Sequence, residues 1–218
     1  MMLSKDVLEK NDSDGMHIIY DKWSQIARDA YNSTLESIDF HDIDHVVFSG
    51  MGGSGTIGNL FSSVLSKTNI HTTVVKGYEI PNTIDKNTLV ITTSVSGNTI
   101  ETLTTLKSAS KKNCNLIAFS SGGIMESFCT KNNIEFRKFP QIHSPRASLP
   151  SYVFSILKIL NSIIPIKQDD ILKCLKDLEI LSKEISSTNL NENNKSLDLA
   201  NWINGIPVIY YPHGLETV

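Results

Sequence analysis

One stretch decides the fold: Leu89-Val90-Ile91-Thr92-Thr93-Ser94-Val95-Ser96-Gly97-Asn98-Thr99-Ile100-Glu101-Thr102. Its first five residues, Leu89 to Thr93, predict a buried strand, and the spacing of Ile100, Leu103 and Leu106 predicts a helix from Thr99. A loop between a strand and a helix points backbone N–H groups and small hydroxyls at the helix N-terminus, which favours negative charge. The hydroxyls of Ser94, Ser96 and Thr99 surround Gly97, so this loop predicts an anion site.

A second unit of the same kind lies earlier in the chain. His45 to Phe48 predicts a short buried strand, and Ile57 to Leu65 continues a helix that starts in the loop Ser49-Gly50-Met51-Gly52-Gly53-Ser54-Gly55. Neither loop contains Lys or Arg, so neutral donors and helix dipoles would have to hold the anion. Two such loops on neighbouring strands suit a phosphate monoester.

Two other interpretations of the loops need to be weighed. Gly50-x-Gly52-x-x-Gly55 matches the dinucleotide fingerprint, but the acidic residue that this fingerprint expects about 20 positions later is missing from Val75-Lys76-Gly77. Asn98, followed three positions later by Glu101, resembles a capping box, and for these two residues we favour that structural role. A cap accounts for one hydroxyl at most, so the remaining hydroxyls still argue for a bound anion.

The rest of the first 139 residues alternates between strands and helices. A helix is predicted over 18–38, and a short one follows Gly122-Gly123 and runs through Phe128. Further strands are predicted at Thr72–Val75, Leu116–Phe119 and Ile134–Phe139. This βαβ rhythm predicts an α/β fold, an open and mainly parallel sheet with helices on both faces.

The character of the sequence changes after Phe139. Three prolines make 139–150 a constrained loop, and helices are predicted over 153–164 and after Asp170. The segment 186–195 is polar and Asn-rich, which is typical of a surface connection, and the apolar run 206–211 predicts a strand. One terminal strand cannot form a domain, so we expect it to join the sheet or to belong to a further unit.

Composition narrows the function classes. A formal net charge of -3 over 218 residues gives no electrostatic case for nucleic acid or an anionic membrane. No apolar run approaches the ~20 residues that a membrane span needs, and the N-terminus lacks the pattern of a secretory signal. The three cysteines are widely spaced, which predicts reduced thiols in a cytoplasmic protein and argues against a metal site.

With both loops in view, the sequence resembles the sugar isomerase (SIS) domain. More specifically, it is similar to the bifunctional phosphoglucose/phosphomannose isomerases, whose chains hold two such domains in tandem. The proline-bounded segment from His143 to Pro150 is similar to that family's Pro-Arg loop. The resemblance implies an SIS domain over 18–165, a helical connection over 166–204 and the first strand of a truncated second SIS domain over 205–218.

The resemblance also assigns residues and chemistry. The sugar-phosphate cradle would comprise Gly52, Gly53, Ser54, Ser94, Ser96, Gly97 and Thr99. Arg146 would be the catalytic cation beside the reacting carbons of a hexose 6-phosphate, which isomerises through a cis-enediolate without metal or organic cofactor. Judged from its sequence context alone, a surface arginine stiffened by flanking prolines is an equally good interpretation of Arg146. Because SIS subunits commonly pair, we expect a homodimer.

One departure from the family limits the expected activity. The glutamate base, ring-opening histidine and lysine of the family belong to the second domain or the segment after it, and this sequence ends before those motifs. We therefore expect weak or no isomerisation from the 218-residue chain. A non-catalytic SIS module that binds a sugar phosphate is the alternative, and no sequence feature tells which sugar phosphate is preferred.

Overall fold

A five-stranded parallel sheet lies at the centre of the computed structural model, which describes residues 3–191, 193–203 and 205. The strand order is β2-β1-β3-β4-β5, and every neighbouring pair is parallel. The strands are β1 (His45–Ser49), β2 (His71–Val75), β3 (Thr88–Ser94), β4 (Asn115–Ser120) and β5 (Glu135–Lys138). The predicted α/β class and parallel sheet are confirmed.

Helices precede, connect and follow the strands. They are α1 (Lys5–Asn11), α2 (Met16–Asp21), α3 (Trp23–Asn32), α4 (Gly53–Leu65), α5 (Ile100–Ala109), α6 (Gly123–Asn132), α7 (Leu149–Ile159), α8 (Gln168–Glu184) and α9 (Lys195–Ile203). Within the described residues, no helix combines the length and the apolar character that a membrane crossing requires.

The two faces of the sheet pack against different helices because side chains alternate along each strand. Val46 and Phe48 join one core with residues of α3, α4 and α7. Val47, from the same strand, packs with Ala109 of α5 on the opposite face. The outer part of that second face is covered by α5 and α6, as shown by the buried cluster Leu103, Leu106, Ala118, Met125 and Cys129.

The chain changes direction across the sheet between β1 and β3. From β1 it crosses through α4 to the edge strand β2, whereas from β3 it crosses through α5 toward β4 and β5. The connecting helices α4 and α5 lie on opposite faces, so the loops at the carboxyl ends of β1 and β3 lead to opposite sides of the sheet. Open α/β sheets bind their ligands at such a switch point.

Several predicted boundaries differ from the structure. The helix predicted over 18–38 is two helices that meet at Lys22, and the second ends at Asn32 because Ser33 takes up extended backbone and its hydroxyl donates to the Ala30 carbonyl. The loop predicted over 139–150 gives way to α7 at Leu149, since Pro150 stands in the first turn, where its missing N–H costs no hydrogen bond.

The helical segment after α7 packs on the same core as the sheet. Ile171 and Leu175 of α8 are buried in the cluster that contains Val46 and Phe48, and α8 contacts α3. The segment 186–195, which the sequence predicts to be a surface connection, contains no helix until α9 begins at Lys195. The strand predicted over 206–211 lies outside the described residues, so the domain boundaries of the sequence analysis stay predictions.

Candidate functional site: two loops at the carboxyl edge of the sheet

The two glycine- and serine-bearing loops leave neighbouring strands at the same edge of the sheet. β1 and β3 pair in register, with Ser49 opposite Thr92, and both strands are buried along their whole length. The Ser49 and Thr105 hydroxyls form a buried hydrogen bond of 2.5 Å, which ties α5 to the end of β1. The sequence therefore brings Ser54, Ser94, Ser96 and Thr99 to adjacent strand ends.

The first loop presents donors that the protein itself does not use. The backbone amides of Gly52 and Gly53 donate to no acceptor among the described residues. Helix α4, which starts at Gly53, has neither a side-chain cap nor an acidic residue in its first turn. Ser54, in that turn, is half-buried. An uncapped helix end with free N–H groups carries a partial positive charge and favours an anion.

In the second loop, Ser94 and Thr99 share a hydrogen bond. The Ser94 side chain is 1% exposed, and its Oγ accepts the Gly97 amide at 3.1 Å. Ser94 Oγ and Thr99 Oγ1 lie 2.9 Å apart. One of the two hydroxyl protons forms this hydrogen bond, so the other hydroxyl proton remains available to donate to a ligand. Thr99 is half-buried and is the N-cap of α5, without a side-chain cap bond, so it lies nearer to a ligand than Ser94 does.

Ser96 completes the set of hydroxyls on this loop. Its side chain is exposed, and its Oγ accepts the Asn98 amide at 3.2 Å. A hydroxyl that accepts in this way still has its own proton to donate. Ser96 therefore offers a donor to solvent in the second loop.

A third loop, after β4, fixes the second loop in place. Ser121 and Met125 donate their amides to the carbonyls of Val95 and Gly97, each at 3.0 Å. Gly97 has φ +69°, and a Cβ added to it would lie 1.9 Å from the Gly122 carbonyl oxygen. Only glycine fits this position, because a side chain would both strain the backbone and collide with the third loop.

The capping box predicted for Asn98 and Glu101 is wrong. Thr99, not Asn98, is the N-cap of α5. Asn98 instead accepts the Ile124 amide on its Oδ1 at 3.0 Å, and so caps the first turn of α6. This contact joins residues 26 positions apart and depends on the third loop, which a local sequence pattern does not reveal.

Arg146 lies in the segment between β5 and α7. It is exposed, and it precedes α7 in the turn that follows β5, with β4 between β5 and β3. No ion pair of the described residues includes it. Two hydrogen bonds hold the segment around Arg146. Trp23 Nε1 donates to the Ala147 carbonyl at 3.2 Å, and His143 Nε2 donates to the Asp14 carbonyl at 2.9 Å.

Sequence reasoning missed a cation beside the first loop. Lys76 follows β2, the strand that pairs with β1 on the side away from β3, and the Gly50 amide donates to the Val75 carbonyl at 3.1 Å. Lys76 is visible in the sequence as part of Val75-Lys76-Gly77, but only the strand order shows that it lies beside the first loop. Within the described part of the chain, no three His, Cys, Asp or Glu side chains come together as metal ligands would.

The arrangement favours recognition of a compact anion over proton transfer. The two loops, 49–56 and 93–102, contain a single ionisable side chain, Glu101, in the first turn of α5. Their other polar groups are hydroxyls and backbone amides in front of two helices. Such groups bind a tetrahedral oxyanion through several hydrogen bonds and do not change protonation state between pH 5 and 8.

Comparison with known proteins places this geometry in a family. Residues 39–156 match the model of the SIS domain. The chain is 36% identical over 188 residues to a bifunctional phosphoglucose/phosphomannose isomerase of Caldicellulosiruptor bescii, which covers 84% of this chain and 55% of the relative. For the protein of the same name from Thermoplasma volcanium, the identity is 32% over 169 residues, with coverage of 77% and 50%.

A solved structure shows the same fold at lower sequence similarity. The C-terminal domain of glucosamine-fructose-6-phosphate aminotransferase from Francisella tularensis superposes with a TM-score of 0.57 at 15% identity, over 78% of this chain and 54% of that one. The chain thus spans about half the length of the curated relatives that it matches.

Proposed function

The chain belongs to the SIS domain family, and from this premise we propose that it binds a hexose 6-phosphate and interconverts its aldose and ketose forms. The proposed substrates are glucose 6-phosphate and mannose 6-phosphate, and the shared product is fructose 6-phosphate. The names of the relatives support this choice, since the similar proteins from Caldicellulosiruptor bescii and Thermoplasma volcanium are both bifunctional phosphoglucose/phosphomannose isomerases.

The observation that carries the proposal is the pair of uncapped helix N-termini at the switch point of the sheet. Neither α4 nor α5 has a side-chain cap bond, and the loops in front of them carry the hydroxyls of Ser54, Ser96 and Thr99. A 6-phosphate group would receive hydrogen bonds from these hydroxyls and from the amides of Gly52 and Gly53. Ser94 would act through Thr99, by holding the threonine hydroxyl in a donor orientation.

The proposed reaction moves one proton between C2 and C1 of the open-chain sugar. Removal of the C2 proton of the aldose gives a cis-enediolate. Transfer of the hydroxyl proton from O2 to O1 and delivery of a proton to C1 then give the ketose, so the sugar is neither oxidised nor reduced overall. The negative charge that develops on the enediolate oxygen needs a nearby donor or cation. Arg146 is the proposed group, because the family resemblance assigns it this role, the residue is exposed, and no ion pair of the described residues includes it.

The activity is tested with the longest natural form of the protein. Fructose 6-phosphate formation is followed separately from glucose 6-phosphate and from mannose 6-phosphate, without added metal. The proposal predicts turnover of both sugars and its loss in Arg146→Ala, with Arg28→Ala as a control because Arg28 pairs with Glu179 away from the loops. No turnover above buffer with either sugar would defeat the catalytic claim.

Binding without turnover is the second candidate, and the composition of the loops favours it. Their single ionisable side chain is Glu101, so these loops supply phosphate ligands but no histidine or lysine for acid-base steps. This candidate predicts saturable calorimetric binding of fructose 6-phosphate with no product formed. Ser96→Ala and Thr99→Ala should each weaken that binding several-fold, at ~1 kcal/mol or more per lost hydrogen bond to a charged group.

A homodimer in the cytoplasm completes the proposal. Three large apolar side chains are exposed at the carboxyl edge around the loops: Tyr78 at 55%, Ile100 at 68% and Ile124 at 54%. Exposed apolar groups that cluster at one edge are typical of an interaction surface. Sedimentation should give the dimer mass for the wild type and the monomer mass for an Ile100→Lys, Ile124→Lys variant. A wild-type monomer at all concentrations would contradict this part.

A further inference from the structure

Lys76 is a cation without a carboxylate partner beside the first loop. It is exposed, and no ion pair within the described residues includes it. It follows the last residue of β2, and β2 pairs in register with β1, so that Val75 lies opposite Ser49. The lysine therefore leaves the same sheet edge as the two loops, on the side of β1 away from β3.

The side chain of Lys76 crosses the first turn of α4. A Cβ added to Gly55 would lie 3.0 Å from Lys76 Cε and 3.1 Å from Lys76 Cγ. The same Cβ would lie 2.7 Å from the Gly50 carbonyl oxygen. Position 55 thus has no room for a side chain, and the aliphatic part of Lys76 fills the space above it. The ammonium nitrogen lies one bond beyond Cε, next to the N-terminal end of α4.

This position is electrostatically unfavourable unless an anion is present. A helix N-terminus carries about half a positive charge, so a lysine beside it meets a charge of the same sign. The first turn of α4 contains no acidic residue that would compensate, and its N-cap is Gly52, which has no side chain. A doubly charged phosphoryl group in front of α4 would satisfy both the helix end and the ammonium.

From this juxtaposition we propose that Lys76 is a further substrate-binding residue, whose ammonium pairs with the phosphoryl oxygens of the sugar phosphate held by the two loops. The inference rests on the proposed function and adds to it the source of positive charge that both loops lack. It makes the site selective for phosphorylated over unphosphorylated sugars. The binding free energy should then contain a charge-charge contribution that salt screens.

The test is a calorimetric titration of the longest natural form with fructose 6-phosphate. Lys76→Met should weaken binding by roughly tenfold, the loss that a charge-assisted hydrogen bond commonly entails. Lys76→Arg should stay within about threefold of the wild type, since a guanidinium also pairs with phosphate. The decline of affinity with added salt should be shallower for Lys76→Met than for the wild type.

Lys86→Met is the matched control, because Lys86 is an exposed lysine just before β3, at the opposite edge of the sheet. It should bind as the wild type does. If Ser96→Ala weakens binding while Lys76→Met leaves both affinity and salt dependence unchanged, the inference on Lys76 is wrong and the proposed function stands. If the wild type shows no saturable binding of fructose 6-phosphate, the proposed function fails and this inference fails with it.

Discussion

The two edges of the sheet use their polar groups in opposite ways. At the amino edge, the groups bind one another. His45 Nε2 and Thr73 Oγ1 lie 3.0 Å apart, across β1 and β2. The Asp85 carboxylate accepts the Asn87 amide and the Thr88 hydroxyl, each at 3.0 Å. These contacts hold the strand ends together and leave few donors for a ligand.

At the carboxyl edge, hydrogen bonds to the third loop hold the second loop in place, but some donors are left open. The amides of Gly52 and Gly53 have no acceptor among the described residues, and two helices begin without a side-chain cap. Exposed donors of this kind bind water, so they contribute no stability to the isolated protein. The amino edge thus stabilises the sheet, whereas the carboxyl edge leaves donors free at two helix N-termini, as the proposed anion site requires.

The largest expected effect is a loss of stability caused by a substitution at the carboxyl edge. Gly97→Ala would force a side chain at φ +69°, with its Cβ 1.9 Å from the Gly122 carbonyl oxygen. Backbone strain and overpacking together should lower the free energy of unfolding by about 3 kcal/mol or more. Urea unfolding measures this loss. Gly77→Ala is the control, since an added Cβ there meets nothing within 4 Å. A loss below about 1 kcal/mol for Gly97→Ala would show that the second loop does not pack closely against the third loop at Gly97.

A pair of substitutions separates the two edges. Ser96→Ala removes an exposed donor at the carboxyl edge, and should weaken fructose 6-phosphate binding several-fold with little change in unfolding. Thr73→Val removes the partner of His45 at the amino edge, and should lower the free energy of unfolding by about 1 kcal/mol with affinity unchanged. Calorimetry gives the affinity of each variant for fructose 6-phosphate, and urea unfolding gives the free energy of unfolding of each variant. The distinction between the edges fails if Thr73→Val weakens binding as much as Ser96→Ala does.

A smaller effect sharpens the picture of the loops. Asn98→Ala removes the cap of α6, and should cost about 1 kcal/mol in urea unfolding. Asn98→Asp keeps an acceptor for the Ile124 amide and should cost less. Glu101→Gln should leave unfolding within about 0.5 kcal/mol, because Glu101 forms no capping box with Asn98. A larger cost for Glu101→Gln than for Asn98→Ala would restore the capping box and contradict the structure.

The smallest effect concerns the amino edge and pH. Burial, together with the nearby His71, lowers the pKa of His45 below its usual 6.5, although Asp44 and Asp85 act in the opposite direction. The folded chain then binds fewer protons than the unfolded chain, so stability is full above about pH 6.5 and falls as the pH drops through that value. Between about pH 7.5 and pH 5.5, the wild type should lose more stability than His45→Gln. Equal losses in both proteins would remove this contribution of His45.

Much of the fold follows from local patterns in the sequence. The β-branched runs from His45 to Phe48 and from Leu89 to Thr93 are buried on both faces, so they predict strands without knowledge of their neighbours. The glycines between strand and helix mark where each strand ends. The break at Lys22 was not predicted, because the apolar spacing continues through it and only the end at Ser33 carries a local polar signal.

The hydroxyls of the candidate site are visible in the sequence, but their hydrogen bonds and neighbours are not. Ser54, Ser96 and Thr99 stand out from their own loops. The hydrogen bond of Asn98 to α6, the burial of Ser94 and the approach of Lys76 to Gly55 all depend on which strands are neighbours. Strand order is a long-range property, since it is set by packing of the helices on both faces, and short motifs do not contain it.

The most direct test is a crystal structure of the longest natural form in complex with fructose 6-phosphate. The account predicts that the phosphoryl group lies between the two loops, within hydrogen-bond distance of the Ser96 and Thr99 hydroxyls and of the amides at the start of α4. A phosphoryl group bound at any other place on the molecule, with the two loops unoccupied, would contradict it.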